Sequence, residues 1–256
     1  MSSPRIIPQQ SLTSWGPGPS APTFPADRVD VWRVQLEQPG EAISPSILSS
    51  DELTRASRFH FEKDRLHFTS CRSALRLLLS RYLGMRAAEI RFDYQPSGKP
   101  ELPAQQNPRR LQFNVSHSAG LALVAVSASC RLGVDIEKVR ADVDVTTLAE
   151  RFFSARERAG LRALPDHLRV QAFFACWTRK ESFLKATGDG LSFPLADFSV
   201  TTRLDLDPAL EEVRGNIEAR NQWCLADLNV GDSYRACVAV EGTPSGLETY
   251  SHIRTC

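Results

Sequence analysis

The sequence Gly133-Val134-Asp135-Ile136-Glu137 alternates apolar and acidic side chains, which is the pattern of a half-buried β-strand. Successive side chains of a strand point to opposite faces, so Asp135 and Glu137 share one face while Val134 and Ile136 enter the core. Neighbouring carboxylates repel each other unless a cation or water lies between them, and oxygen ligands suit Mg2+. A solvated strand end carries the same pattern, so this motif alone does not establish a metal site.

Helical and strand patterns mix on both sides of this segment. Apolar residues at helical spacing predict helices over 66–83 and 171–187, each followed by a glycine that can end a helix. Capping boxes at Ser49 and Ser154 predict two more helix starts, and a further helix is expected over 145–153. This mixture favours an α+β fold over a wound parallel sheet.

Short apolar runs predict the strands. They cover residues 31–34, 89–94, 111–115, 121–128, 131–136, 198–202, 222–228 and 234–240. The strands over 121–128 and 131–136 are separated only by Ser129 and Cys130, which predicts a hairpin between them.

Length, charge and cysteine content exclude several classes of protein. The 256 residues fit one large domain or two small ones. No apolar run approaches the roughly 20 residues that span a membrane, and the N-terminus lacks a secretory signal, so we expect a cytoplasmic protein. The net charge of +1 gives no general attraction to nucleic acid or to a membrane. Six scattered cysteines without zinc spacing are expected to be reduced thiols.

A second motif lies in the predicted helix over 171–187, where residues 177–185 read Trp-Thr-Arg-Lys-Glu-Ser-Phe-Leu-Lys. Glu181 and Lys185 are four residues apart on one stripe, with Trp177 one turn earlier. A surface Glu–Lys pair worth about 0.3–0.5 kcal/mol accounts for the two charges but not for the indole beside them. The functional interpretation makes Glu181 a third metal ligand or a general base, and Lys185 a donor that neutralises phosphate.

Two shorter motifs complete the candidate site. Residues 113–118 read Phe-Asn-Val-Ser-His-Ser and place His117 where a predicted strand ends, beside Ser116 and a glycine turn. A histidine there is more often structural, but beside such a turn it can also hold a phosphate by hydrogen bonds. Lys99 precedes Pro100, which restricts the lysine to an extended conformation and fixes its direction.

The motifs in this order and combination resemble those of the Sfp-type 4'-phosphopantetheinyl transferases, from about Leu53 to Val240 and more weakly after Thr202. The matching motifs are Gly98-Lys99-Pro100, Phe113–Ser118, Gly133–Glu137 and Trp177–Lys185. The resemblance implies a Mg2+-dependent enzyme, with Mn2+ as an alternative ion. Such an enzyme moves the phosphopantetheine arm of coenzyme A to a serine of an apo acyl or peptidyl carrier protein and releases adenosine 3',5'-bisphosphate.

The resemblance also implies roles for individual residues. Asp135, Glu137 and Glu181 correspond to the Mg2+ carboxylates, and Glu181 would deprotonate the carrier serine directly or through a metal-bound water. Lys185 would offset the charge of the pyrophosphate, and His117 would hold a phosphate of coenzyme A.

The resemblance is weaker around the nucleotide. Lys99, Ser116 and Arg55 match positions that line the nucleotide and its 3'-phosphate. A further basic family position is Glu52 here, and an arginine of the following helix is His67. We therefore expect the 3'-phosphate to be held differently in this chain.

The family fold implies two similar α+β halves packed as an intramolecular pseudo-dimer. We expect these halves over 28–139 and 140–245, with a C-terminal tail over 246–256. Residues 1–27 carry six of the sixteen prolines and are expected to be a disordered extension.

The pyrophosphate and the metal are expected in the cleft between the halves. Asp135 and Glu137 would come from the first half and Glu181 from the second. A monomer is expected, because the internal pseudo-dimer already makes the interface. The sequence does not distinguish carriers of fatty-acid, polyketide or non-ribosomal peptide synthesis.

Two other functions remain open at this point. A Mg2+-dependent nucleotide pyrophosphatase could use the same acidic strand, but it would release phosphopantetheine without any carrier. A non-catalytic module that binds coenzyme A or carrier proteins would be attractive had Glu181 or Lys185 been lost, and both are present.

Overall fold

The computed structural model describes residues 14–37, 45–96, 98–128, 130–188, 190 and 193–251. Its helices are α1 (Ser50–Ala56), α2 (Glu62–Leu83), α3 (Val145–Phe152), α4 (Ala155–Arg162) and α5 (Asp166–Thr187). Its strands are β1 (Gly16–Pro17), β2 (Val29–Gln35), β3 (Asp93–Tyr94), β4 (Pro100–Glu101), β5 (Gln112–Ser118), β6 (Leu121–Ser127), β7 (Leu132–Lys138), β8 (Phe198–Val200), β9 (Leu210–Val213), β10 (Trp223–Asp227), β11 (Tyr234–Glu241) and β12 (Leu247–Ser251). In these described ranges no helix is both long and apolar enough to cross a membrane.

Two sheets form the body of the protein, and each packs against one 22-residue helix. The first sheet has the strand order β1-β12-β2-β6-β5, and the second has the order β10-β11-β7. Leu75 and Leu78 of α2 are fully buried in one core with Trp32 of the first sheet. Phe183 of α5 shares another core with Cys237 of the second sheet. The expected α+β fold of two halves is confirmed.

Strand β6 is apolar on both faces because both faces are covered. All seven of its residues are buried. Leu123 and Ala125 belong to the core between the two sheets, together with Val134 of β7. Val124 points the other way, into the core beneath α2. The layers therefore follow the order α2, first sheet, second sheet, α5.

The predicted hairpin between 121–128 and 131–136 is wrong. Strand β6 pairs with β2 and β5, whereas β7 pairs with β11 in the other sheet. The chain crosses between the sheets here, and a short break is compatible with a crossing as well as with a turn. Strand β7 therefore belongs to the second half. The boundary expected after residue 139 lies near residue 130.

Residues 14–27 pack against the body, so the expected disordered extension is wrong for this part of 1–27. Strand β1 pairs in parallel with β12, and Trp15 packs on the core between the sheets. A Cβ at Gly18 would lie 2.1 Å from the Trp32 ring, so this close approach requires glycine. Proline is compatible with an edge strand, and its abundance therefore does not imply disorder.

The C-terminal tail expected over 246–256 is wrong as far as residue 251. Strand β12 lies in the first sheet between β1 and β2 and is parallel to both. Parallel partners are distant in sequence, so no local pattern announces the pairing. Residues 1–13 and 252–256 lie outside the described residues.

The docked N-terminal segment is expected to contribute to stability. Trp15 packs against the core, and its indole N–H donates to the carbonyl oxygen of Asn229 in the second half. Trp15→Ala should lower the free energy of unfolding by about 2 kcal/mol and the melting temperature by about 4–8 °C. Leu206→Ala is the control, because Leu206 is 51% exposed and should leave the melting temperature nearly unchanged. Equal melting curves for the two variants would show that the segment does not stabilise the body.

The predicted helix starts agree with the structure better than the strand predicted over 89–94. Both capping boxes are confirmed, at Ser49 and at Ser154. The strand predicted over 89–94 is wrong for most of its length, because Ala87–Glu89 forms a single 3-10 turn and only Asp93–Tyr94 finds a partner, in β4.

Candidate active site

Asp135 and Glu137 lie on the face of β7 that meets the side chains of β5. The Ser116 hydroxyl donates to Asp135 Oδ1 at 2.9 Å, and the Ser118 hydroxyl donates to Glu137 Oε2 at 2.9 Å. Asn114 continues the series, because its Oδ1 accepts from the Val134 N–H at 2.9 Å. Alternate polar side chains of β5 thus bind β7 across the junction of the two halves.

Helix α5 places Glu181 and Lys185 on the same junction. The Lys185 ammonium lies 2.6 Å from Asp135 Oδ1 and 2.9 Å from Ser116 Oγ. This close approach of helix and strand depends on Gly133, where a Cβ would be only 2.2 Å from the carbonyl oxygen of Ser182. Lys185 therefore pairs with Asp135 of β7. A simple surface pair between Lys185 and Glu181 of the same helix would not explain this contact.

The carboxylates of Asp135, Glu137 and Glu181 lie close enough for their negative charges to affect one another. Burial and then the Asp135 charge raise the pKa of Glu181, against the opposing effect of Lys185. Burial and Asp135 likewise raise the pKa of Glu137. The second oxygen of Asp135, Oδ2, is buried and has no hydrogen-bond partner. These observations and the all-oxygen donor set fit a Mg2+ ion.

The side chains do not form a finished metal site as they stand. No three His, Cys, Asp or Glu side chains in the part of the chain that the structure describes are arranged to hold an ion. Lys185 already neutralises part of the charge on Asp135. Mg2+ usually takes one or two carboxylates and completes its coordination with water and substrate phosphate, so three protein ligands need not be in place beforehand.

The expected division of the carboxylates between the halves is wrong. Strand β7 pairs with β11, so Asp135 and Glu137 belong to the same half as Glu181. The first half contributes the hydroxyls of β5 and His117. The candidate residues still meet at the junction of the halves. The second half supplies the carboxylates and Lys185, and the first half supplies hydroxyl groups and the His117 imidazole.

His117 lies at the exposed end of β5, next to two other groups that can be positively charged. The pKa of His117 is lowered mainly by partial burial of its ring, and to a smaller extent by the charges of His67 and Lys185. His67 lies 3.0 Å from a Glu37 oxygen through its Nε2. A lowered pKa favours the neutral imidazole, which can still donate one hydrogen bond to a phosphate oxygen.

Glu52, which replaces a basic family position, has a structural role. It is buried between two arginines of α2, at 2.7 Å from Arg72 Nε and 2.6 Å from Arg76 Nε. Arg55 is exposed on α1, with its guanidinium 5.4 Å from the Phe68 ring centre. Of these groups, only Arg55 is directed to solvent where a phosphate can reach it.

The lysine that precedes Glu181 is fully buried. Lys180 Nζ lies 2.7 and 2.8 Å from the two Glu157 oxygens and 2.6 Å from the Phe198 carbonyl oxygen. In the sequence Glu157 is the acidic residue of the capping box that begins at Ser154, and this pattern does not predict the ion pair. The available signal was Lys180 itself, because a lysine on a buried helical stripe needs a counterion.

Removal of this buried lysine is expected to destabilise the protein. Lys180→Met would leave the Glu157 charge unpaired, at a cost of about 3–5 kcal/mol, equivalent to roughly 6–20 °C in melting temperature. Adding Glu157→Gln should recover part of the loss. Arg203→Met breaks the exposed pair with Asp205 and serves as the control, with no change expected. A melting temperature for Lys180→Met equal to that of the control would contradict the structural role.

A cavity of about 350 Å³ opens beside Glu137. Its lining combines a charged rim with an apolar wall formed by Leu148, Phe173, Phe174 and Trp177. The Trp177 indole stacks on Phe173, with ring centres 6.0 Å apart. The cavity therefore places an apolar wall beside one of the candidate metal ligands.

Two family models match the chain. Residues 131–239 match the family model described as 4'-phosphopantetheinyl transferase superfamily, and residues 32–129 match the model described as 4'-phosphopantetheinyl transferase, N-terminal. The two matches meet where the chain crosses between the sheets.

Three relatives illustrate the similarity. The chain is 40% identical to the 4'-phosphopantetheinyl transferase HetI of Nostoc sp., over 90% of this chain and 94% of the relative. It is 36% identical to a putative 4'-phosphopantetheinyl transferase of Synechocystis sp., over 82% and 85% of the two chains. It is 34% identical to the 4'-phosphopantetheinyl transferase Sfp of Bacillus subtilis, over 65% and 71%.

Proposed function

The chain belongs to the 4'-phosphopantetheinyl transferase superfamily, and on this premise we propose that the junction of its halves transfers phosphopantetheine from coenzyme A to a carrier-protein serine. The contact between Lys185 and Asp135, with Glu181 on the same helix, supports this role most directly. It joins a cation suited to pyrophosphate with the carboxylates suited to a metal and to a base.

We propose that Asp135, Glu137 and Glu181 hold Mg2+, with Mn2+ as an alternative. The raised pKa values of Glu137 and Glu181 and the unpartnered Oδ2 of Asp135 support a cation among them. When bound, the ion would offset the negative charge of the pyrophosphate. Ser116 and Ser118 would orient two of the ligands through their hydroxyl groups.

In the transfer, the carrier serine oxygen bonds to the phosphorus that carries pantetheine. The bond from this phosphorus to adenosine 3',5'-bisphosphate breaks, and Glu181 takes the serine proton. Lys185 stabilises charge on the departing phosphate, because positioning and charge neutralisation supply most of the catalysis in such transfers.

The remaining binding roles follow the charges of the junction. His117 and Ser116 contact phosphate of coenzyme A, and Arg55 receives the 3'-phosphate from the exposed side of α1. Lys99 lines the nucleotide side of the junction. The pantetheine arm enters the cavity beside Glu137, whose wall is apolar.

The acceptor is an apo acyl or peptidyl carrier protein of fatty-acid, polyketide or non-ribosomal peptide synthesis, and the chain acts as a monomer. Formation of adenosine 3',5'-bisphosphate tests the proposal when measured with and without an apo-carrier. Formation only with the carrier supports transfer. Equal formation without the carrier would favour the pyrophosphatase instead.

A further inference from the structure

Lys99 contacts the main chain of helix α5, which carries Glu181 and Lys185. Its ammonium donates to the carbonyl oxygen of Lys185 at 2.6 Å. This carbonyl lies in the last turn of α5, where carbonyl groups have no donor within the helix and the helix dipole attracts cations. A side chain from the first half thus binds the end of a helix of the second half.

The β3–β4 hairpin directs Lys99 to this position. The Gln95 N–H donates to the Lys99 carbonyl oxygen at 2.9 Å, and the Gly98 N–H donates to the Gln95 carbonyl oxygen at 2.8 Å. Gly98 has φ +82°, a conformation that favours glycine. Gln95 also approaches Gly188, the residue that ends α5. The hairpin therefore rests on the end of the helix at two points.

The same helical turn determines where the Lys185 ammonium lies. That ammonium has three acceptors: Asp135 Oδ1 at 2.6 Å, Ser116 Oγ at 2.9 Å and the Val134 carbonyl oxygen at 3.3 Å. Tight packing at Gly133 fixes one side of the helix turn against β7. Lys99 binds the same turn through its main chain. A shift of the Lys185 main chain would change all three distances.

We propose that Lys99 is a positioning residue that acts on the reaction through Lys185. Its ammonium ties the Gly-Lys-Pro hairpin to the last turn of α5 and so keeps the Lys185 ammonium on Asp135. Lys99 then affects transfer mainly through its hydrogen bond to the Lys185 carbonyl oxygen, and less through any contact that it makes with the nucleotide. The inference rests on the proposed role of Lys185 at the pyrophosphate.

A double-mutant cycle separates these two routes. Lys99→Met keeps the aliphatic stem and removes the donor, and Lys185→Met does the same at the second site. We expect Lys99→Met to slow single-turnover transfer about tenfold in the wild-type background but less than twofold in the Lys185→Met background. Coenzyme A affinity, measured by calorimetry on the same four proteins, should show the same non-additivity.

Each other outcome overturns the proposal. Equal losses in the two backgrounds would show that Lys99 acts independently of Lys185, as direct contact with the nucleotide would require. An unchanged transfer rate for Lys99→Met in the wild-type background would show that the contact between Lys99 and Lys185 does not affect the reaction. Melting curves verify folding, and Lys99→Gln replaces Lys99→Met if that variant does not fold. Absence of transfer by the wild-type protein would refute the proposed function itself, while the affinity cycle would still test the coupling.

Discussion

Glu181→Gln is expected to slow transfer at least about 10²-fold, the loss typical of removing a general base. The amide keeps the size of the side chain but can neither accept the serine proton nor bind a cation as a charged ligand. Coenzyme A affinity should change far less than the rate, because most of the affected interactions form during the chemical step. Single-turnover rates on an apo-carrier, beside calorimetric titration with coenzyme A, measure the two effects separately.

Two comparisons make this test specific. Glu248→Gln makes the same chemical change at an exposed residue of strand β12 and should retain the wild-type rate. Lys185→Met should weaken coenzyme A binding and slow transfer together, because it removes a positive charge opposite the pyrophosphate. If Glu181→Gln matched Glu248→Gln in rate, the base would have to be sought elsewhere.

Removal of divalent ions is the second change with a large expected effect. Chelation should reduce transfer at least about 10²-fold, and addition of Mg2+ or Mn2+ should restore it, because the three carboxylates otherwise oppose the charge of the pyrophosphate. Asp135→Asn should remain slow after the ion is added back, since it loses both a ligand and the partner of Lys185.

The matched control for this substitution is Asp205→Asn, on an exposed loop. It should lose activity on chelation and recover fully with Mg2+. Melting curves should show that Asp135→Asn remains folded under the conditions of the assay. Full turnover by a chelated wild-type protein would contradict the assignment of the three carboxylates to a metal.

Local sequence patterns predict the elements that carry the candidate site. Alternation along β7 separated Asp135 from the buried Val134, and helical spacing placed Glu181 and Lys185 together on α5. These features follow from periods of two and 3.6 residues, which depend on neighbouring residues alone. The two glycines after the long helices also ended them as expected, because both adopt positive φ.

Long-range pairing could not be predicted in the same way. The break between β6 and β7 looks like a turn, but the covering of both faces of β6 requires a crossing between sheets. The parallel pairing of β12 with β2 joins residues more than 200 positions apart, and no local pattern encodes it. The carboxylates were therefore assigned to the wrong half although their common face was correct.

The supporting side chains were missed for a different reason. Asn114 and Ser118 alternate with core residues along β5, which indicates a polar face but not its partner. Only the fold brings that face onto β7. The capping box likewise accounts for Glu157 from its near neighbours alone. Its second partner, Lys180, is 23 residues away, so no local pattern joins the two residues.

Intact-mass spectrometry of apo-carriers incubated with this protein, coenzyme A and Mg2+ tests the central claim most directly. Apo acyl and apo peptidyl carriers should be assayed in parallel, each with the wild-type protein and with Glu181→Gln. We expect at least one carrier to gain the mass of a single phosphopantetheine group with the wild-type protein, and to gain it far more slowly with the variant. No mass gain on any carrier, or equal gains with both proteins, would contradict a transferase that works through this site.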